Sequence, residues 1–308
     1  MKKSKLLAAL CLALALLSGC NLTADIPAET RVMTSFYPLY ALTLNLTKDV
    51  PRLTLSNLVQ PQAGCPRSYA LSDWDAALIA GQDALIIGGR GLESFEAALS
   101  GAGGGPAVLT VMNGLTLFSS GEAANEESSH LTGDNPWLFL SVPGAMEMAM
   151  SIAGGMAQMD EPYADIYLAN LSDYLDRLEN LADDMAHVME RATPRPVALL
   201  HEGLGYLARQ LGLEIALEYP REPGSECYDN DLEDLLAALE ASGARVALVE
   251  KQIPQNLAEA LEGAGYALVR IDTLMTHAAD GDPTAYERIM LENARAVASA
   301  LNSAAAAP

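Results

Sequence analysis

Short β-branched or apolar runs alternate along this chain with segments whose apolar residues recur at helical spacing. The extended runs in the first half are TRVMTS, RLTLSNLV, ALIIGG and AVLTV; in the second half they are PVALL, LEIALEY, RVALVE and YALVRID. Between them lie SDWDAALIAG, GLESFEAALSG, HEGLGYLARQLG, NDLEDLLAALEASG and NLAEALEGAG, several of which stop at a glycine, as helices commonly do. Strands alternating with helices predict parallel sheets wrapped by helices, an α/β fold. No period of about 20 to 50 residues repeats, which argues against a solenoid.

The two halves are joined by a different pattern. From Asp160 to Thr193 there is no glycine and one proline, Pro162, in the first turn where proline is tolerated. Leu168, Leu171, Leu175, Leu178, Ala182, Met185 and Met189 keep a three-then-four spacing over about three heptads. Bounded by α/β halves, that spacing fits one long connecting helix better than a dimeric coiled coil. At 1.5 Å per residue the helix would span on the order of 45 Å. The organisation expected is a lobe over 31–158, a rigid connecting helix over 159–193 and a second lobe over 194–308. SSGEAANEESSHLTGDNPW, polar and without periodicity, reads as a mobile surface loop.

The N-terminus changes the picture of where the protein works. MKKSK gives a positive start, LLAALCLALALLS an apolar stretch too short to span a bilayer, and LSGC a small-residue site ending in Cys20. Residues 1–19 read as a secretory signal, and Leu-Ser-Gly-Cys resembles the bacterial lipobox, which implies lipidation of Cys20. Residues 20–30 then form a tether, and the protein is expected outside the cytoplasmic membrane, held by lipid. The formal charge is −22; losing Lys2, Lys3 and Lys5 with the signal, and no acidic residue, makes it about −25. Such a balance argues against nucleic acid and anionic lipid as partners and would draw cations toward the surface. With Cys11 in the signal and Cys20 lipidated, Cys65 and Cys227 remain, as one disulfide, two ligands or two buried small residues.

Ligands of open parallel sheets bind beyond the carboxyl ends of strands. PVALL runs into His201-Glu202, RVALV ends at Glu250, YALVRI ends at Asp272, and RLTLSNLV leads into PQAGCPRSYALS, which carries Cys65 and Arg67. An imidazole with carboxylates at strand ends suits a transition-metal or hard-cation site. The plainer alternative has Glu250 and Asp272 capping helices or solvated and His201 hydrogen-bonded at a helix start. No G-x-S-x-G elbow, Walker loop, G-x-G-x-x-G after a strand, or H-E-x-x-H is present, so no enzyme is expected. His187 falls in the long helix, and His130 and His277 in loops.

Three segments also carry a resemblance. TSFYPLYALTLNLTKD, HEGLGYLARQLGL and LVEKQIPQNLAEALEGAGYALVRIDTL, in that order and spacing, resemble the metal-specific solute-binding lipoproteins of bacterial zinc and manganese ABC importers. The resemblance implies two α/β lobes joined by a long helix, with a zinc or manganese ion as cargo in the cleft between them. It also implies a membrane permease as partner, a monomer, and no catalytic turnover. The family's C-lobe ligands fall on His201 and Asp272, with Glu250 at an acidic position of the motif. Its two N-lobe histidines are absent. Pro-His-x-Tyr is matched by Pro66-Arg67-Ser68-Tyr69, and Asp-Pro-His-x-Trp-Leu by the run from Asn135 and Pro136 through Trp137. The family's histidine-rich loop is reduced to His130 among Glu122, Glu126, Glu127 and Asp134.

Three arrangements of the cleft follow. In one, His201 and Asp272 hold metal with replacement ligands from Cys65, Glu202 or Cys227. In the second, Arg67 stands in for the cation by pairing with Asp272 or Glu250, leaving an organic ligand to stack on Trp137, or a surface protein serving adhesion or sensing. In the third, Cys65 and Cys227 form a disulfide between the lobes. Against these, Arg67 would be merely solvated and Trp137 merely packed.

Overall fold

The computed structural model describes residues 29–60, 66–99, 105–119, 134–219 and 229–306. The signal segment, Cys20, Cys65, Cys227 and most of the polar loop with His130 lie outside the described residues. All eight extended runs are strands, namely β1 (Thr30–Thr34), β2 (Leu53–Asn57), β3 (Ala84–Ile87), β4 (Ala107–Thr110), β5 (Pro196–Leu199), β6 (Glu214–Glu218), β7 (Val246–Glu250) and β8 (Ala267–Ile271). They form two four-stranded parallel sheets, ordered β2-β1-β3-β4 and β6-β5-β7-β8. Inner strands β3 and β7 are buried throughout, because helices cover both faces and leave no solvent side to alternate toward. In each sheet the chain first runs to one side of its opening strand and then crosses to the other. The crevice that this reversal leaves opens at the carboxyl ends of β1 and β3 in one lobe and of β5 and β7 in the other.

The helices are α1 (Tyr37–Leu46), α2 (Asp73–Ala80), α3 (Glu96–Leu99), α4 (Val142–Met159), α5 (Ala164–Met189), α6 (Leu204–Gln210), α7 (Asp229–Ser242), α8 (Gln255–Gly263) and α9 (Ala285–Ala306). The segment GLESFEAALSG yields only the single turn α3. Two helices escape a search for apolar periodicity. α4 is built largely of Ala, Gly and Met around a buried face from Val142 to Met156, and α9 is rich in alanine. A serine marks the start of α4, since the Ser141 hydroxyl accepts from Gly144 N–H at 3.2 Å.

The connector is α5, 26 residues or about 39 Å long, entered through a short 3-10 turn at Glu161–Tyr163. Its buried face runs Tyr167, Tyr174, Leu178, Leu181 and Met185. The leucine pattern holds at Leu178 and Met185 but fails at the start of the helix, where Leu168 is 49% exposed and Tyr167 beside it is wholly buried. The cause is the tyrosines, whose rings bury like leucines. Tyr167 Oη donates to Asp160 Oδ2 at 2.7 Å.

α4 and α9 pack along α5, and α1 packs on both α4 and α5. Together with the inner faces of both sheets they form one apolar core that continues from lobe to lobe. Two smaller clusters cover the outer faces, one per sheet. The buried Tyr286 of α9 fastens the segment before α4, donating to Phe139 O at 2.9 Å and lying 3.2 Å from Ser141 O.

The register of α5 has a direct test in chemical denaturation. Leu178→Ala should lose about 2–5 kcal/mol by opening a cavity in the shared core. Leu168→Ala, on the exposed side, should stay within about 0.5 kcal/mol of the parent. Equal losses at the two positions would contradict the stripe.

Candidate functional site

The loop after β2 ends in a 3-10 turn, Pro66–Ser68, that presents Arg67. The residue that follows the turn is held on three sides. The Tyr69 ring packs against Phe36 and Phe95 at 6.1 and 6.2 Å. Its hydroxyl donates to Asp75 Oδ2 at 3.0 Å, and its carbonyl accepts from the Ser94 hydroxyl. Asp75 and Ser72 form the capping box that starts α2. Arg67 therefore springs from a fixed base, and its guanidinium reaches the other lobe: Nη2 lies 3.2 Å from Glu202 Oε1.

Glu202 belongs to the turn that carries the chain from β5 into α6. Its Oε1 also accepts from Trp137 Nε1–H at 2.8 Å, and its backbone carbonyl accepts from Asn135 Nδ2 at 2.8 Å. Asn135 is held in turn, since Tyr206 Oη donates to its carbonyl at 2.8 Å. The Tyr206 ring stacks on Phe118 at 4.7 Å, with the Arg209 guanidinium over the far ring at 4.0 Å. The Glu202 side chain is only 6% exposed, that of Arg67 23%. A pair this sheltered is less screened than a surface ion pair, and the carboxylate, which belongs to the second lobe, answers an arginine and an indole that both come from the first.

Trp137 is packed rather than presented. Its ring is buried, meets His201 edge-on at 4.5 Å and 80°, and presses on Gly203. A Cβ at Gly203 would come within 2.6 Å of Trp137 Cγ and 2.9 Å of Leu140 Cδ1. That close approach is why the turn needs glycine there. Stacking of an organic ligand on Trp137 is thereby overturned, and so is the pairing of Arg67 with Asp272 or Glu250, because Glu202 takes the guanidinium instead.

His201 sits at the centre of this seam, 2% exposed. Gly203 N–H donates to its Nδ1 at 3.1 Å, so Nδ1 offers its lone pair and the neutral ring carries its proton on Nε2. Among the described residues Nε2 is buried without a hydrogen-bond partner, as is Arg67 Nε. Burial, helped by the Arg67 guanidinium, pulls the imidazole pKa down to about 3. An unmade hydrogen bond on a buried group costs about 1–3 kcal/mol.

Asp272 ends β8 and is occupied. Burial would raise its carboxyl, but His277 Nε2 at 2.9 Å, the Leu274 N–H at 2.9 Å and Lys251 Nζ at 3.1 Å bring it down to about 2. Asn293 clamps its backbone, accepting from Asp272 N–H and donating to Asp272 O, both at 2.9 Å. The His277 ring lies 5.2 Å from Tyr37 at the start of α1, a second meeting of the lobes. Sequence reasoning left His277 as a plain loop residue, and no local pattern marks it. Lys251 was within reach of the strand-end argument, being the residue after Glu250. Glu250 itself closes β7, 9% exposed. Among the described residues, no group of three or more His, Cys, Asp and Glu side chains gathers to hold a metal, so His201, Glu250 and Asp272 do not form a ready-made cluster. Cys65 and Cys227 lie outside the described residues, and with them the disulfide reading.

The profile of the family described as ZnuA, zinc-uptake complex component A periplasmic, matches residues 32–300. The high-affinity zinc uptake system protein ZnuA of Bacillus subtilis (strain 168) is 24% identical over 195 residues, 60% of this chain and 60% of that protein. The zinc-binding lipoprotein AdcA of Streptococcus pneumoniae (strain ATCC BAA-255 / R6) is 23% identical over 271 residues, 85% of this chain and 53% of that protein. The matches thus span between half and two-thirds of the length of these curated relatives. Among solved structures, that of the solute-binding protein FpvC from Pseudomonas aeruginosa in complex with Ni2+ shares the fold. It superposes with a TM-score of 0.76 at 23% identity, over 91% of this chain and 99% of that one.

The buried imidazole makes stability depend on acid. His201 titrates near 6.5 in the unfolded chain and at about 3 in the folded protein. Below pH 6.5 the unfolded chain takes up a proton that the folded protein refuses, so stability present at pH 7 is lost as the pH falls toward 3. With chelator present, His201→Phe should show a shallower loss over that window, by up to about 1.4 kcal/mol per pH unit. Glu93, buried and with its carboxyl raised by burial, acts in the opposite sense in both proteins and drops out of the comparison. Parallel slopes would contradict a buried neutral His201.

Proposed function

Because the chain belongs to the family of periplasmic zinc-uptake complex component A, we propose that it is an extracytoplasmic solute-binding protein of an ABC importer. Its cargo is a divalent cation of the zinc or manganese class, carried in the cleft between the lobes and handed to a membrane permease. Cys20, lipid-modified, keeps it at the membrane surface as a monomer. Among the described residues no helix is long and apolar enough to cross a membrane.

The observation that carries this reading is His201, a buried imidazole kept neutral at ordinary pH with no hydrogen-bond partner at Nε2. Zinc takes neutral imidazole and carboxylate oxygen, and an imidazole that refuses protons does not make the metal compete with acid. Glu202, whose carboxylate lies on the same turn, is the second ligand. Asp272 and Glu250 at the ends of β8 and β7 are further carboxylates that cargo would draw in, and Cys65 and Cys227 are thiols available to complete a set. Coordination through Nε2 moves the ring proton to Nδ1, which gives up the bond from Gly203 N–H. A second, weaker reading keeps the fold for adhesion or sensing, and no contact in the cleft favours it.

The test is titration of the reduced, chelator-stripped mature protein with zinc and with manganese by calorimetry. One of the two should bind, and a hundredfold excess over its Kd should raise stability by about 2.7 kcal/mol. His201→Ala should weaken that cation by about tenfold or more, equal to about 1.4 kcal/mol. Absence of binding by both cations would overturn the reading.

A further inference from the structure

Resting on the carrier reading, we infer that Arg67 is a tethered cation that competes with the cargo: its guanidinium holds the carboxylate beside His201, and a divalent ion enters only by exchange with it.

Three observations carry this. First, the arginine and its partner come from opposite lobes. Arg67 rises from the turn after β2, and Glu202 lies after β5, so the 3.2 Å contact crosses the cleft where a cargo ion would bridge it. Second, among the described residues Arg67 Nε and His201 Nε2 are both buried without a hydrogen-bond partner. The ion pair thus leaves hydrogen-bonding capacity unused on both of these groups. The arginine therefore holds this place without being completed by it, and the part of its side chain still open to solvent gives it a way out. Third, Gly203 N–H holds the histidine in the tautomer whose Nε2 is a donor, so the ring carries a proton there and yields a lone pair only to an ion strong enough to shift it. A positive charge already beside that ring opposes a second one arriving.

The exchange balances simply. The guanidinium leaves Glu202, the metal takes the carboxylate and Nε2, and the imidazole proton passes from Nε2 to Nδ1, so the ring stays neutral and releases no proton. Arg67 thus sets how strongly the chain holds a cation and filters out ions that bind too weakly to displace it.

The test compares zinc and manganese affinity, by calorimetry, for the mature protein and for Arg67→Ala, with Arg67→Met as the variant that keeps the packed stem should the alanine protein fail to fold. Removing the charge should tighten binding by about tenfold or more. Methylguanidinium at millimolar concentration should then reverse that gain in the variant and leave the parent unchanged, a competition that a merely structural arginine would not produce. Equal or weaker binding by both variants, with the parent still binding, would overturn the inference and leave the carrier reading standing. Silence from parent and variants alike would overturn both.

Discussion

Oε1 of Glu202 accepts from the Trp137 indole and lies 3.2 Å from the Arg67 guanidinium, and the geometry of the cleft depends on that shared oxygen. The indole fixes where the carboxylate lies, and the backbone hydrogen bond from Asn135 fixes the turn that carries it. Gly203 must be glycine for the indole to lie so close. His201 is then enclosed between the indole edge and the guanidinium, which is why it stays neutral. A chain with a formal charge of −22 has placed one of its 18 lysines and arginines where two lobes meet, and an acidic surface raises the local concentration of any cation that could replace it.

The second seam is differently made. Asp272 is surrounded by donors: His277, Lys251, the Leu274 amide and the clamp of Asn293. Its carboxylate is charged and satisfied, whereas His201 across the same cleft is uncharged and unsatisfied at Nε2. The two strand ends therefore differ in readiness. One is a finished structural joint, and the other has bonding capacity left over.

Much of this architecture was readable in the residues. Eight short β-branched runs became eight strands in two parallel sheets, because parallel strands covered on both faces need continuous apolar sequence and announce themselves that way. The long helix was also legible, and its face at Leu178 and Met185, but not where Tyr167 and Tyr174 take the buried positions. α4 and α9 were missed because small residues pack closely without writing a strong apolar period. His201, Glu202 and Arg67 stood out by their place at strand and loop ends, and the structure brings them to one seam; the family was legible in three ordered segments. Which carboxylate Arg67 would choose was not legible, since it depends on the Trp137 indole, some 65 residues away from Glu202 in sequence. Nor was His277, whose role exists only where α1 and the loop after β8 meet.

The unbroken apolar core has a mechanical meaning. Tyr167, Tyr174, Leu178 and Tyr286 belong to one packed body with both sheets, so swinging the lobes apart like a clamshell would pull apolar side chains into water. The inexpensive motions are those of the rim: a guanidinium rotating out, a turn relaxing, a loop shifting over the cleft. Exchange at the cleft therefore works through the rim, at a pace set by how readily a few side chains change partners.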